Sequence, residues 1–431
     1  MRARAFLLLC AVLGTGLALA QAPAPPALVL QGARIVSVMG EDIPEGTIVI
    51  RNGRIEAVGK DVPVPPGAQV VDVRGFIAYP GMIDAYSSLG LQEISGVSAT
   101  VDNRETGRIN PQVRTIEALR YDSMHIAISR SNGITAALVV PSGGAISGQS
   151  ALIKLDGWTE REMAVKTSAF LHIELPGIRG GRGGGMGMRG GGEAAPADAG
   201  KILAEVRDLL HQARYYRKRK EFAAKNTLLP RPTYDDTLDP LLAVVRGELP
   251  LMISVHAEKD IQAAVKFVTE EKLKAVFYGV EQGFKVAAEL ANAGIPVIVG
   301  SLYDPPPVYD DGYDSLFLNP GLLHKAGVKV AFSSSSATVA KDLPYHAAKA
   351  AAFGLDKREA LKAVTIVPAE IFDVADRMGS LEKGKQANIV LADNDLLELR
   401  TNIKKVYIDG RECNLSNRYT ELLEKFKKKG S

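Results

Sequence analysis

The sequence predicts an α/β protein in which strands alternate with helices in the central part and both ends are rich in strands. Two observations predict this. Short runs rich in Val and Ile recur between helical patterns from residue 76 to residue 333, a pattern typical of parallel strands with helices packed outside them. Residues 27–73 and 379–410 instead show apolar runs interrupted by turn residues, which favours strands joined by turns. A chain of 431 residues accommodates one large domain and a smaller one.

The N-terminal residues have the pattern of an export signal. Arg2 and Arg4 precede an apolar run over residues 5–18, and a small-x-small cleavage site ends at Ala20. The run is too short for a membrane anchor. We therefore predict a signal peptide at residues 1–20, a secreted or periplasmic bacterial protein, and no membrane partner after the signal is removed. The formal net charge of +3 is too small to indicate a nucleic-acid partner.

The two ends of the mature chain follow the same pattern of short strands and turns. Asn52-Gly53 stands between two alternating apolar runs and predicts a two-residue hairpin turn. Strands are predicted near the N-terminus at residues 27–30, 34–37, 46–51, 54–58 and 69–72. Residues 379–413 repeat this pattern, and the tail at 414–431 predicts a short helix that ends in basic residues.

The central part gives seven predicted strands and at least six helices. The helices are predicted at residues 111–131, 201–223, 238–245, 261–271, 282–293 and 344–352. The strands are predicted at residues 76–87, 134–140, 169–174, 252–256, 275–278, 295–299 and 328–333. Residues 177–200 break the alternation with runs of Gly and little to bury, so they predict a flexible insertion.

The strongest motif in the chain lies within residues 79–90. Pro80, Gly81, Ile83 and Asp84 match the Pro-Gly-x-Ile-Asp-x-His-x-His strand of the amidohydrolase superfamily of metal-dependent hydrolases. Residues 359–375 and 379–390 also resemble the last helix and the following turn of that superfamily, and the resemblance covers nearly all of the mature chain.

The resemblance implies more about the fold than the periodicity does. It implies a (β/α)8 TIM-type barrel over residues 76–378. It also implies a small composite β-sandwich in which residues 27–75 pair with residues 379–413. A closed barrel needs eight strands, so one strand is either missed or lost between Pro176 and Pro250.

The resemblance also assigns the positions at which superfamily members hold their metal. The two first-strand histidines fall on Tyr86 and Ser88, the sixth-strand histidine on Tyr278, and the eighth-strand aspartate on Ser335; only His256, on the fifth strand, is retained. Side chains two apart share a face of a strand, so two imidazoles at that spacing can grip one ion. Phenol and hydroxyl groups are poor ligands for divalent metals. We therefore expect no standard metal site and no confidently assigned catalytic residue.

Four residues make a rearranged metal site a second possibility. His172 and Glu174 are two apart on one predicted strand, and His256 and Glu258 show the same spacing on another. If these faces converge, a divalent metal of the zinc type would bind weakly. The alternative is that His172 and Glu174 form hydrogen bonds in the loop after their strand, with no metal cofactor.

A glycine-rich loop over residues 141–149 follows the second barrel strand, at the end of the barrel where active sites lie. Ser142, Gly143 and Gly144 in this loop, together with Asp84, are candidate pocket residues. Glycines let backbone amides approach a ligand anion, while the alternative is a simple turn.

Two functional hypotheses follow. In the first, the protein is an exported relative of metal-dependent hydrolases that act on C–N bonds other than peptide bonds, impaired by the loss of most metal ligands. In the second, it is a non-catalytic pseudo-hydrolase that binds a small molecule or an intact related subunit. Either hypothesis is compatible with a homo- or hetero-oligomer.

Overall fold

The computed structural model describes residues 26–177, 198–226, 228–305 and 311–429. The predicted signal peptide and residues 178–197 of the predicted insertion lie outside this part of the chain. The strands are β1 (Leu28–Ile35), β2 (Ile43–Arg51), β3 (Arg54–Gly59), β4 (Gln69–Asp72), β5 (Ile77–Pro80), β6 (Met82–Ser87), β7 (Ile134–Val139), β8 (Ile146–Gln149), β9 (Ala151–Lys154), β10 (Ala164–Lys166), β11 (Leu171–Glu174), β12 (Leu251–Val255), β13 (Ala275–Gly279), β14 (Val297–Val299), β15 (Val330–Phe332), β16 (Ile389–Ala392), β17 (Ile403–Ile408) and β18 (Arg411–Glu412). The α-helices are α1 (Thr115–Ala118), α2 (Met124–Ser131), α3 (Glu160–Met163), α4 (Ala199–Lys225), α5 (Leu238–Val245), α6 (Glu258–Glu271), α7 (Ala287–Asn292), α8 (Ser315–Lys325), α9 (Leu343–Ala352), α10 (Lys357–Lys362), α11 (Ile366–Ile371) and α12 (Arg418–Lys427).

Strands from both ends of the chain form one eight-stranded sheet, in the order β18-β17-β16-β5-β1-β2-β3, with β4 paired to β1. The ends meet where β16 runs antiparallel to β5 and Ile389 lies opposite Pro80. Alternate residues of these strands are buried together, which explains why the two ends pack as one unit. The members of this cluster include Leu30, Ile35, Ile48, Ile50, Ile55, Ala78, Ile389, Leu391 and Tyr407.

The predicted hairpin turn at Asn52-Gly53 is confirmed. Both residues have positive φ angles, 52° and 77°, as a tight two-residue hairpin requires. The turn packs against the C-terminal strands, because a Cβ atom on Gly53 would lie 2.9 Å from the carbonyl oxygen of Asp409. Glycine is needed here both for the φ angle and for this close approach.

The predicted single strand over residues 76–87 is wrong, because the segment forms two strands in different sheets. β5 belongs to the sheet of the chain ends, and β6 pairs with β7 in a second sheet. The chain changes sheets at Gly81, whose amide donates to Asn388 O at 2.9 Å. A Cβ atom there would lie 2.2 Å from Thr135 Oγ1, so only glycine fits between the two layers.

The remaining strands form two further sheets, in the orders β10-β9-β7-β6 and β15-β14-β13-β12-β11-β8. β11 to β15 are parallel, as predicted, whereas β8 runs antiparallel to β11 and β9 antiparallel to β7. β8 and β9 are separated only by Ser150 and join the two sheets through one bent segment. Together with β6, β7 and β11 to β15, this segment makes eight strand positions.

The expected position of the eighth strand was wrong. Between Pro176 and Pro250 the described residues form α4 and α5 and no strand. The β8–β9 segment was missed because it is short, antiparallel and contains Gly148, whose φ of 128° favours glycine. The hydrogen-bonded ladders of the described residues do not close into one ring, because β15 and β6 are not paired. The loop after β15 nevertheless contacts β6, where Ser335 N donates to Tyr86 O at 3.1 Å.

The interior between these strands is apolar, and helices cover its outside. The predicted helix at 111–131 is instead two short helices, α1 and α2, joined by a turn. No helix in the described part of the chain is long and apolar enough to cross a membrane. The buried interior cluster includes Ile83, Ala85, Ala136, Leu138, Leu152, Phe170, Met252, Val276, Ile298 and Ala331.

Candidate functional site at the ends of the inner strands

The candidate site lies where the inner strands end, above the apolar interior. Because side chains alternate along a strand, the inward face that carries Met252 continues to Ser254, just before His256, and the face that carries Val276 continues to Tyr278. On β11 the same alternation runs from Phe170 through His172 to Glu174. The polar residues named by the sequence therefore follow the apolar ones on the same inward face.

Two tyrosines fill the centre of this region. The rings of Tyr86 and Tyr278 are stacked, with centroids 3.5 Å apart and planes 4° from parallel. Burial raises the pKa of both phenols well above the usual value, although hydrogen bonding to Ser254 and Ser335, respectively, opposes the rise. Both side chains are therefore neutral phenols at physiological pH, and neutral phenols are weak ligands for a divalent metal.

Asp84 is buried and fixes the end of β6 to the loop after β15. Its carboxylate accepts hydrogen bonds from Ser334 N at 2.9 Å and from Ser334 Oγ at 2.5 Å. Burial raises its pKa to about 7, against the effect of these hydrogen bonds. The predicted pocket residue Asp84 is thus fully enclosed and holds two strands together.

The two serines at lost ligand positions also make local contacts. Ser88 Oγ accepts a hydrogen bond from Ala337 N at 3.0 Å. Ser335 has a φ of 63°, and its hydroxyl lies 3.2 Å from Ser333 Oγ. Each hydroxyl therefore stabilises the loop after β15, where superfamily members would carry the aspartate.

His256 is the retained histidine, and its partner is a carboxylate that the sequence did not single out. His256 Nδ1 lies 2.8 Å from Glu281 Oε2. Burial disfavours the charged imidazole, but Glu281 and then Glu174 outweigh burial and raise the pKa of His256. Gly279 allows the imidazole to lie close, because a Cβ atom on Gly279 would be 2.6 Å from Nδ1.

The predicted pairing of His256 with Glu258 on one strand face is wrong. β12 ends at Val255, and Glu258 is the first residue of α6. The rule that residues two apart share a face applies only within the strand. Glu258 N donates to Gln282 Oε1 at 3.0 Å, which fixes the start of the helix.

His172 and Glu174 share the inward face of β11 but have different environments. Glu174 Oε1 accepts hydrogen bonds from Gly143 N at 2.8 Å and from Ser147 Oγ at 3.0 Å. His172 is buried against the edge of the Tyr86 ring, and neither of its ring nitrogens has a hydrogen-bond partner in the described part of the chain. Burial lowers the pKa of His172 to about 3, so this imidazole is neutral.

The glycine-rich loop over residues 141–149 forms its hydrogen bonds and close contacts with other residues of this protein. Ser142 donates to Asn103 O through both its amide and its hydroxyl. A Cβ atom on Gly144 would lie 2.6 Å from Arg108 O, which explains why glycine is needed there. The amide of Gly143 binds the carboxylate of Glu174, so the anion that this loop approaches is supplied by the protein itself.

These residues do not form a metal-binding group. Across residues 26–177, 198–226, 228–305 and 311–429, no three His, Cys, Asp or Glu side chains are placed to hold one metal ion. A firmly held ion needs three or more protein ligands. The rearranged set of His172, Glu174, His256 and Glu258 is not brought together, and the standard positions carry phenols and hydroxyls.

Three residues at the site were not singled out from the sequence. Glu281 follows β13 by two residues, a position at the end of a strand that is often functional. Ser254 lies two residues after the buried Met252 within β12 and so shares its inward face, which the alternation along the strand could have indicated. Ser334 binds Asp84 across about 250 residues of sequence, and no local pattern predicts such a contact.

The chain is similar to known amidohydrolases. The model of the Amidohydrolase family matches residues 318–413. Over 405 residues the chain is 24% identical to amidohydrolase tasK of Hapsidospora irregularis, and the match covers 85% of this chain but 39% of that protein. The chain therefore spans about two fifths of the length of this relative.

Solved structures show the same fold. The amidohydrolase from Thermotoga maritima MSB8 has a TM-score of 0.78 at 24% identity, over 90% of this chain and 99% of that chain. A prolidase complexed with N-methylphosphonate-L-proline has a TM-score of 0.55 at 17% identity, over 90% of this chain and 99% of that chain.

Proposed function

This chain belongs to the amidohydrolase superfamily, and we propose that it is an exported member whose capacity for metal-dependent hydrolysis is impaired. The stacked, neutral pair of Tyr86 and Tyr278 carries this proposal. The pair takes the positions at which the superfamily resemblance places metal-binding histidines. Because the described residues place no three strong donors around one point, the protein would hold a zinc-type ion weakly or not at all.

Loss of the metal would remove the means of activating water. In metal-dependent hydrolases the bound ion lowers the pKa of water to near neutrality, so that hydroxide can attack. In this chain the position of the aspartate that would accept the proton carries Ser335, whose hydroxyl is committed to the local contacts described above. The proposal therefore assigns the chain to the lineage of enzymes that act on C–N bonds other than peptide bonds, with reduced or absent turnover.

The test is a hydrolysis assay on the whole chain with and without added Zn²⁺. Simple amides, whose C–N bond is not a peptide bond, are suitable substrates. We expect no hydrolysis above that of a His256→Ala variant. Hydrolysis that the His256→Ala variant abolishes, although the variant remains folded at the assay temperature, would overturn the proposal.

A specific pocket supports the second candidate function, binding of a small molecule without turnover. The pocket has a volume of about 350 Å³, within the usual range for small-molecule sites. Asp304 offers a carboxylate there, and burial raises its pKa, while Asp342 already pairs with Lys341 at 2.6 Å. The lining residues are Ser301, Tyr303, Asp304, Val339, Asp342, Tyr345 and His346.

The carboxylate of Asp304 and the rings of Tyr303 and Tyr345 line this pocket, and such a combination favours a small organic cation as the ligand. We expect small amines to raise the thermal midpoint of the protein and an Asp304→Asn variant to lose that response. An equal response in Asp304→Asn, or no response to any amine, would contradict this candidate. Binding of a related subunit, the other ligand class expected from the sequence, would instead appear as a larger species in sedimentation.

The fold proposal is that the eight strand positions close into a (β/α)8 barrel and that the sheet of the chain ends forms the small composite β-sandwich. The contact between Ser335 N and Tyr86 O supports closure between β15 and β6, and the bent β8–β9 segment supports it on the opposite side.

The proposal on export is tested by N-terminal sequencing of the secreted protein, which should begin at Gln21. A mature protein that retains residues 1–20 would contradict it.

A further inference from the structure

The last helix, α12, is attached to the rest of the protein at its first turn. Asn417 caps it by accepting hydrogen bonds from Tyr419 N at 2.9 Å and Thr420 N at 3.3 Å. The amide group of Asn417 also donates to Ser131 Oγ, in α2, at 3.0 Å. Since Asn417 is buried, the start and direction of the helix are fixed.

One face of α12 is apolar and faces water. Tyr419, Leu422, Leu423 and Phe426 follow the spacing i, i+3, i+4 and i+7, which places them on one face of a helix. No residue of α12 is buried, and Tyr419, Leu423 and Phe426 are 52%, 54% and 60% exposed. Leu422 is half-buried, so three large apolar side chains lie open on this face, and they indicate an interaction surface.

The charges of the helix are arranged around that face. Successive residues turn by about 100°, which places Arg418, Lys425 and Lys429 along one border of the apolar face and Lys427 along the other. Glu421, Glu424 and Lys428 lie on the opposite face by the same geometry, and Lys427 pairs with Glu424 at 3.0 Å. Five basic and two acidic residues from 418 to 429 give a formal net charge of +3.

We propose that α12 docks on an anionic phospholipid surface. In this arrangement the three exposed apolar side chains, Tyr419, Leu423 and Phe426, enter the boundary between head groups and acyl chains. Lysine side chains on the borders extend their apolar stems along the helix and place their ammonium groups among the lipid phosphates. The acidic residues face water, where they do not meet the negative surface.

The same charge arrangement disfavours a second copy of the chain as the partner. Two such faces packed together would bring the basic borders of one helix against the basic borders of the other. The acidic residues on the far side could not neutralise this repulsion, which is destabilising for like charges in contact. An anionic surface matches both borders at once.

The proposal differs from the expectation of no membrane partner. With 10 residues, α12 is too short to span a bilayer and can only lie on its surface. The proposal does not depend on whether the barrel binds metal, because α12 shares no residue with the candidate site.

The experiment is co-sedimentation of the full chain with vesicles. One set contains equal parts of phosphatidylglycerol and phosphatidylcholine, and the other contains phosphatidylcholine alone. We expect at least about tenfold tighter binding to the anionic vesicles, lost at high salt because salt screens the charges. A Leu423→Glu/Phe426→Glu variant should bind at least about tenfold more weakly, and a Lys425→Gln/Lys427→Gln/Lys429→Gln variant should lose the preference for anionic vesicles.

Matched controls separate the helix from general changes in charge or hydrophobicity. Leu399→Glu alters an exposed leucine outside α12, and Lys266→Gln alters an exposed lysine on α6; both should bind as the unmodified chain does. Because no residue of α12 is buried, the variants should keep the thermal midpoint. Binding that is equal on neutral vesicles or unchanged in the α12 variants would overturn the proposal. So would a dimer in solution that Leu423→Glu/Phe426→Glu converts to a monomer.

Discussion

The sheet of the chain ends and the ends of the inner strands differ in what their residues do. In the sheet, alternating apolar side chains from residues more than 300 apart in sequence pack into one cluster. At the inner strand ends the geometry of the fold is maintained, but phenols and hydroxyls stand where metal ligands are expected. The comparison teaches that one set of residues determines the fold and another determines the chemistry, so the second set can change while the first remains.

The β5–β6 segment shows this separation within one stretch of chain. Gly81 permits the close approach of Thr135, and Asp84 binds the loop after β15. Tyr86, two residues beyond Asp84, lies at a position assigned to a metal ligand and instead stacks on Tyr278. The residues that match the superfamily motif here are the ones with structural contacts.

The largest expected effect is on the pH dependence of the free energy of unfolding. It tests whether Asp84 is enclosed in the fold and holds β6 to the loop after β15. Its pKa rises from the usual 3.8 to about 7 in the folded protein, so the folded state keeps a proton that the unfolded state has released. The Asp84 contribution should therefore be greatest below about pH 4 and fall as the pH rises to about 7. The fall should be as much as about 4 kcal/mol.

The measurement is chemical denaturation of the unmodified chain and of Asp84→Asn across this range. The difference between them isolates Asp84, because burial lowers the pKa of His172 to about 3 and of His346 to about 4, which destabilises both proteins in acid. Parallel pH profiles for the two proteins would show that Asp84 is ionised in the fold.

The second-largest expected effect is a loss of stability at Gly81. It tests whether glycine is needed where the chain passes from the sheet of β5 to the sheet of β6. Gly81→Ala should destabilise the protein by about 3 kcal/mol, because the added Cβ atom would overlap three atoms of Thr135. Thr135→Ala should recover part of that loss in the double variant, since it removes two of the three overlapping atoms.

Gly96→Ala is the matched control for this substitution. A Cβ atom on Gly96 would meet nothing within 4 Å, so thermal or chemical denaturation should detect little change. A similar loss of stability in both single variants, or no coupling between Gly81 and Thr135, would contradict the assignment.

A smaller effect is expected at His256. His256→Ala should cost about 1–3 kcal/mol, because it leaves Glu281 without its partner in a partly buried position. Glu281→Gln should reduce that cost, since the amide can be satisfied without the imidazole. If His256→Ala leaves stability unchanged but alters a catalytic rate, the residue belongs to a chemical site and the comparison fails at that point.

Sequence predicted the elements that local patterns determine. The hairpin at Asn52-Gly53 and the parallel strands of the centre are confirmed because turn chemistry and apolar runs act over a few residues. The break at Gly81 and the antiparallel β8–β9 segment were missed because both depend on neighbours distant in sequence. The Glu281 partner of His256 and the Ser334 partner of Asp84 depend on such contacts too, so the candidate site was less predictable than the fold.

The metal content of the protein tests the central claim most directly. The chain, purified without added metal and examined by elemental analysis, should contain well under one equivalent of zinc, manganese or iron. A Tyr86→His/Ser88→His/Tyr278→His/Ser335→Asp variant should hold more, since it removes the stacked tyrosines and restores donors around His256. Near-stoichiometric metal in the unmodified chain would contradict the claim, and it would show that the chain holds a metal through other residues.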